Sequence, residues 1–378
     1  MKTIGYLLFA FFFAVGRLFP LQQRKVVLYN GQFEGLSGNL LEVKKEMEVR
    51  QKEKRVYYFE KKKMLGGIGI QKLIGGLCFY FSLPYHMATA GQVYLNDNFL
   101  PLGFCFPDRR AQLIQLWHGA GAFKKFGLSV EQNEKVKRQV VRANRRITHL
   151  FVTSKQVVPF YSEAFGIPEE RIFVTGIPIT DVYFDEKRKA EGVERFYRKY
   201  PYLRDKHLLL ITPTFRNTEE ENKRILPMLS LKRLHEALGD EWVILLRMHP
   251  KFSSNKIPET DYCINVTGYP GALDLYLVSD MLVTDYSSTV VEYVLLDKPV
   301  VLYAYDLKDY DRGFYRDYRD MAAGEIAETK AELIEAVKRT EDGREKREKF
   351  INMQYDYRDR DSLKRIRRVL EQTDKEKG

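Results

Sequence analysis

The sequence predicts an α/β protein of two domains, each built on an open parallel sheet. Three observations carry that prediction. Short apolar runs alternate with helical stretches along the chain. The alternation breaks at a charged segment and then starts again. Residues able to do chemistry stand just after the apolar runs, where an open parallel sheet presents its ligand-binding edge.

The runs "KVVLYN" (25–30), "QVYLND" (92–97), "LIQLWHG" (113–119), "HLFVTS" (149–154) and "IFVTG" (172–176) read as buried strands. Glu131 to Arg146 and Ser154 to Phe165 read as helices between them. Strands that alternate with helices pair in parallel, because only a crossover returns the chain to the same edge. A charged helix and turn follow, and the boundary is expected within 185–205. The second set is "HLLLITPTFRN", "WVILLRMHP", "CINVTG", "MLVTDYSS" and "PVVLYAYD". The expected division is therefore 1–22, an N-terminal segment; 23–190, the first Rossmann-like domain; 200–342, the second; and 343–378, a basic helical segment. The last of these is expected to pack on the first domain or to face a membrane. Two such domains side by side would face each other across a cleft.

The N-terminal run from Ile4 to Val15 is apolar but, at about 12 residues, falls short of the roughly 20 that span a bilayer. It is read as an interfacial anchor, with a cleaved signal peptide or a buried first helix as the alternatives. Residues 44–63, "KKEMEVRQKEKRVYYFEKKK", read as a surface helix followed by a strand. Their basic excess would suit anionic headgroups if the anchor lies beside them.

The net charge of +11 calls for an anionic partner. Charge is spread along the chain, and no DNA-reading or RNA-reading signature is present, so nucleic acid is not expected. Cys78, Cys105 and Cys263 stand far apart, which speaks against a disulfide framework and a structural zinc site.

Four strand ends carry the candidate chemistry. "LWHGAGAFKKFG" puts His118 among glycines and ahead of Lys124 and Lys125. Imidazole titrates near neutrality and can accept a hydroxyl proton, while the lysines would steer an anion. A histidine beside glycines is, on its own, more often structural. "TPTFRN" offers Arg216, whose guanidinium suits a phosphate. "LLRMHP" sets Arg247 and His249 two apart, on one face of a strand. "VTDYSSTVVEY" places Asp285, Ser287 and Ser288 between a strand and a helix start, where backbone N–H groups favour a phosphate. Plain helix capping explains the same serines. Glu292, a turn later, would reach a ribose hydroxyl or stand on the surface.

Taken in order, these motifs resemble the CDP-glycerol glycerophosphotransferase family, the glycerol- and ribitol-phosphate transferases of teichoic acid synthesis. The matching stretches are "WHGAGAFKKFG", "TPTFRN", "RMHP", "TDYSSTVVEYVLLDKP" and "YDLKDYDRGFY", between about residues 85 and 340. The chain departs from the family at Ala120, Gly121 and Ala122, where a Thr-Pro-Leu is usual. It departs again in "GIPITD", which lacks the family's arginine, and in "MAAGE", which replaces a Pro-Gly.

The resemblance implies a GT-B-like fold and transfer of glycerol phosphate from CDP-glycerol to a lipid-linked saccharide acceptor, with release of CMP. CDP-ribitol is the alternative donor. It also implies attachment to an anionic membrane surface on the cytoplasmic face, peripheral or monotopic. His118 would be the general base; His249, Arg216 and Asp285 would form the donor site; Ser287 and Ser288 would hold the pyrophosphate. No cofactor is required by the sequence, though Mg²⁺ would suit the diphosphate. A UDP-sugar transferase or epimerase of the same fold, and a non-catalytic membrane scaffold, are the competing readings.

Overall fold

The computed structural model describes residues 2–130, 132–249, 252, 257–310, 313–339 and 343–375. Several positions singled out in the sequence lie outside them: Glu131 at the expected helix start, Pro250 of "RMHP", and Asp311 and Arg312 of "YDLKDYDRGFY". The chain divides into two compact units, residues 1–181 with 355–378, and residues 182–354.

The first unit holds a six-stranded sheet: β1 (Gln22–Asn30), β2 (Arg55–Glu60), β3 (Ala90–Leu95), β4 (Gln112–Gln115), β5 (His149–Val152) and β6 (Ile172–Val174). Their order is β2-β1-β3-β4-β5-β6, and every pairing is parallel. The strands are near-continuous apolar runs because helices cover both faces of such a sheet. On one face Val26, Leu28, Tyr94, Ile114 and Phe151 meet Leu40, Val43 and Met47 of the helix Gly38–Arg50.

The second unit repeats the plan with β7 (His207–Thr212), β8 (Trp242–Leu246), β9 (Cys263–Asn265), β10 (Met281–Thr284), β11 (Val300–Tyr303) and β12 (Glu325–Ala327). Its order, β12-β11-β10-β7-β8-β9, is that of a doubly wound nucleotide-binding sheet. Strand order reverses between β1 and β3 in the first unit and between β7 and β10 in the second. Crossovers leave in opposite directions there, so the loops at the carboxyl ends part and leave a crevice.

Two sequence-based boundaries need correction. The helix Glu186–Lys199 belongs to the second unit: Arg195 holds Asp274 through two bonds of 3.0 and 2.7 Å. The segment 343–378 is not one body. The helix Arg344–Gln354 stays with the second unit, where Arg347 reaches Asp297. The helix Ser362–Lys375 returns to the first unit and sinks Ile366 and Leu370 into its core. The return is fastened at Asp181, whose carboxylate accepts the Ser362 N–H at 3.2 Å and its hydroxyl at 2.8 Å.

The N-terminal helix, Lys2–Gly16, is part of the first unit on one side. Phe9 and Phe13 are 0% and 2% exposed, and Phe9 packs on Phe79 and Phe99. The buried-helix reading thus describes one face. The other bares Ile4, Leu7, Leu8, Phe11 and Val15. The helix Ile70–Leu77 likewise bares Ile70, Leu73, Ile74 and Leu77, and just after it the ring of exposed Phe81 lies 4.2 Å from that of Phe12. Among the described residues no helix is long and apolar enough to cross a membrane.

Candidate functional site

In the first unit the residues of interest follow β4, one strand over from the strand-order reversal. β4 ends at Gln115, and Trp117 then adopts φ 55°, a left-handed conformation that costs on the order of 1–3 kcal/mol in a non-glycine residue. Hydrogen bonds hold the turn. The Gln115 side chain accepts the Trp117 N–H at 2.9 Å, and the Asn39 amide donates to the carbonyls of Leu116 and Trp117, both at 3.1 Å. The strained turn delivers His118, half-buried beside the Trp117 ring, with Phe33 edge-on.

His118 Nδ1 lies 3.0 Å from the carbonyl oxygen of Asn96. A carbonyl only accepts, so Nδ1 carries the proton and Nε2 is left as the acceptor. Asn96 is itself pinned, donating to Asn30 Oδ1 at 3.0 Å and accepting the Gly31 N–H at 2.9 Å. Burial pushes the His118 pKa below its ordinary value, against the Asn96 bond and the charge of Asp97. The imidazole is thereby kept neutral and oriented, as a base requires. A side-chain carbon added at Gly119 would meet nothing within 4 Å, so the space beside His118 is open. Lys124 and Lys125 follow in the same loop, both half-buried.

The second unit gathers a charged network at its own reversal. Arg216, 4% exposed, gives Nε to Asp306 Oδ2 at 2.7 Å and Nη2 to Asp306 Oδ1 and Asp285 Oδ2, both at 2.9 Å. Its Nη1 donates to the Thr214 carbonyl at 2.6 Å. Burial alone would depress the guanidinium pKa, but Asp285 and Asp306 more than offset it and raise the pKa above its ordinary value. This corrects the expectation that Arg216 grips a phosphate with paired donors. Its fork already holds two carboxylates.

Asp285 likewise faces inward. Beside Arg216 it accepts the Thr214 N–H at 2.9 Å, which ties the loop after β7 to the loop after β10. Tyr286 completes the cluster, donating its hydroxyl to Asp306 at 2.8 Å. Asp306 and Tyr286 belong to the motifs "YDLKDYDRGFY" and "TDYSSTVVEYVLLDKP", which by themselves assign them no role; Asp306 follows β11 as Asp285 follows β10.

The donors left over lie elsewhere. Arg247, just past β8, has a buried Nη1 with no hydrogen-bond partner among the described residues, and the same is true of Thr214 Oγ1 past β7. β7 and β8 are neighbours, so two unanswered donors stand on adjacent strand ends. A buried guanidinium nitrogen without a partner costs free energy until an anion meets it. His249 is exposed, its ring centroid 5.2 Å from that of Phe215.

In "TDYSS", Ser287 is engaged locally: its hydroxyl donates to Thr289 Oγ1 at 3.0 Å and accepts the Thr289 N–H at 3.3 Å. Those local bonds account for Ser287, whereas Ser288, the N-cap of the short helix Thr289–Tyr293, is exposed and makes no side-chain cap bond. Glu292 is no plain surface residue. It accepts the Tyr183 hydroxyl at 2.8 Å, and burial raises its pKa against the influence of Tyr183 and Arg247.

Of the sequence-selected residues, His118, Lys124 and Lys125 lie in the first unit. Arg216, Arg247, His249, Asp285, Ser287, Ser288 and Glu292 lie in the second.

Two doubly wound parallel sheets give the chain a GT-B-like α/β fold. The likeness to the solved Wall Teichoic Acid Polymerase TagF agrees on fold: TM-score 0.77 at 21% identity, covering 99% of this chain and 94% of that one. The model of the family described as CDP-Glycerol:Poly(glycerophosphate) glycerophosphotransferase matches residues 11–372, and the chain belongs to that family. The Teichoic acid poly(ribitol-phosphate) polymerase of Bacillus spizizenii is 32% identical over 373 residues, 97% of this chain and 59% of the polymerase. The Teichoic acid ribitol-phosphate primase of the same organism is 31% identical over 361 residues, 92% of this chain and 91% of the primase. The chain thus spans nearly the whole primase and little more than half of the polymerase.

Removing one partner of a buried ion pair leaves an uncompensated charge. Arg216→Ala is therefore expected to destabilise the protein by about 3–5 kcal/mol in denaturant titration, and Arg216→Ala/Asp306→Asn to recover part of the loss. A cost under about 1 kcal/mol for the single variant would show that the network is not structural.

Proposed function

We infer that the protein transfers glycerol phosphate from CDP-glycerol to a hydroxyl of a lipid-linked saccharide acceptor, forming a phosphodiester and releasing CMP. Family membership supports the reaction class, and the buried, unanswered Nη1 of Arg247 is the observation that carries the donor assignment.

In this reading the donor's pyrophosphate is received at the carboxyl ends of β7, β8 and β10. Arg247, Thr214 Oγ1 and Ser288 answer its oxygens, with His249 beside them. Arg216 acts through Asp285, holding the loops rather than touching the substrate. Glu292 and Tyr183 take the ribose side. His118 Nε2 removes the proton of the acceptor hydroxyl, and the oxygen attacks the β-phosphorus. The bond from that phosphorus to the bridging oxygen breaks, and CMP departs with the bridging oxygen. Catalysis of this kind rests on positioning and charge stabilisation. Lys124 and Lys125 attract the anionic acceptor.

CDP-ribitol is the second reading for the donor, favoured because both relatives named above are ribitol-phosphate enzymes.

The test is acceptor-dependent CMP release from each donor, with and without Mg²⁺. His118→Ala is expected to lose about 10²–10⁴-fold in turnover with the fold intact. Near-normal turnover would remove the base from this residue, and no CMP from either donor would turn attention to UDP-sugars.

The pH dependence follows from the same assignment. A base with a lowered pKa stays unprotonated further into acid. The rate should hold level down through the ordinary imidazole value of about 6.5 and fall only below it. An acid limb centred above that value, or one that persists in His118→Ala, would contradict the role.

We also assign the protein to the cytoplasmic face of a membrane, held through the bared apolar faces of Lys2–Gly16 and Ile70–Leu77. Exposed Lys61, Lys62, Lys63 and Lys72 lie close by in sequence, suited to anionic lipid. Leu73→Asp/Ile74→Asp should reduce sedimentation with anionic vesicles at least tenfold. Unchanged sedimentation would place the contact elsewhere.

A further inference from the structure

The first unit carries a hollow at the end of its sheet opposite His118. It measures about 380 Å³ and opens where β4, β5 and β6 begin, its wall including Leu113, Thr148 and Phe173. His118 follows the far end of β4, roughly 13 Å away at the rise of an extended strand. The volume falls in the usual range for small-ligand sites, about 300–1,000 Å³.

Its lining is strongly basic. Arg109, Arg145, Arg146 and Arg171 contribute four guanidiniums. Asp108 and Glu170 are the two acids, and Asp108 is already claimed by Arg17 and Arg110, each at 3.0 Å. Among the described residues none of the four guanidiniums has a carboxylate within ion-pair distance. Two of them are held in place by other means. Arg171 Nη1 donates to the carbonyls of Arg145 and Ile147 at 3.1 and 3.2 Å, and Arg146 lies over the ring of Phe106 at 4.6 Å.

The floor adds no competing charge. His149 is buried with its two ring nitrogens 2.8 and 2.9 Å from the hydroxyls of Thr148 and Thr373. Like charges gathered around one hollow repel, and an anion entering it relieves that repulsion while meeting planar, forked donors.

We propose that this hollow is a binding site for a phosphodiester anion, separate from the reaction centre. The ligand is either the head group of an anionic lipid or a soluble phosphodiester. Its rim touches the N-terminal helix through the Arg17–Asp108 pair, one residue past Gly16 and next to exposed Leu18 and Phe19. A head group is therefore within reach of the face that bares apolar side chains.

The test uses the full chain and two probes: glycerophosphoglycerol in solution, and vesicles of phosphatidylglycerol against vesicles of phosphatidylcholine. Arg109→Gln/Arg145→Gln removes two exposed charges that make no ion pair among the described residues, so the fold is kept. Lys44→Gln/Lys45→Gln removes the same charge from the helix Gly38–Arg50 as a control. The expected result is a dissociation constant at least tenfold higher for the arginine variant and unchanged for the control. Loss with the soluble probe identifies a soluble diester. Loss confined to phosphatidylglycerol vesicles identifies a lipid head group. If the arginine variant binds both probes as the wild type does, or both variants weaken alike, or the wild type binds neither probe, the proposal is overturned.

Discussion

Parallel pairing is the constraint from which the rest follows. Strands that run the same way need a crossover between them, so all their carboxyl ends, and the loops that leave them, gather on one side. Where the strand order reverses, two such loops diverge and a crevice opens. The protein does this twice. At β1 and β3 the crevice is lined by Asn30, Asn96 and the His118 turn after β4; at β7 and β10 it is spanned by the Asp285 carboxylate on the Thr214 N–H. Neither constellation needs a dedicated scaffold, since each uses the backbone ends that the sheet provides.

In the second unit, one arginine is fully committed to carboxylates and another keeps a buried donor open. Arg216 is buried with two carboxylates, and its stability depends on all three staying together. A guanidinium so committed cannot also turn to a ligand. Arg247, one strand over, keeps a buried donor unanswered, and such a group is costly unless something arrives to meet it. Two arginines that look alike in sequence thus stand in different surroundings. The first unit makes a comparable trade: Trp117 bears backbone strain, and the hydrogen bonds of Asn39 and Gln115 hold it so that the imidazole is presented with the proton on the inner nitrogen.

Much of this was legible in the sequence. Buried parallel strands announce themselves as apolar runs, and the residue that follows each run is fixed by counting, so His118, Arg216, Arg247 and Asp285 were placed at strand ends correctly. Partners that come from distant strands were not legible. Nothing near Arg216 announces Asp306, 90 residues on, and nothing near His118 announces the Asn96 carbonyl. Strand order was hidden for the same reason, because pairing is non-local. The first helix is apolar on all sides, and composition does not say which face finds Phe79 and Phe99. For the final helix, packing on the first domain was one of two expected placements, and two residues, Ile366 and Leu370, decide for it.

The return of that final helix bears on the order in which the molecule can be assembled. The first unit is discontinuous: it is left at Asp181 and rejoined at Tyr355. A growing chain folds as its domains emerge, and here the whole stretch 182–354 leaves the ribosome before Ile366 and Leu370 do. The unit that is synthesised first is therefore the one completed last. Until then its sheet lacks part of one apolar cover, and Asp181 lacks the serine that fastens the return. The continuous second unit meets no such delay.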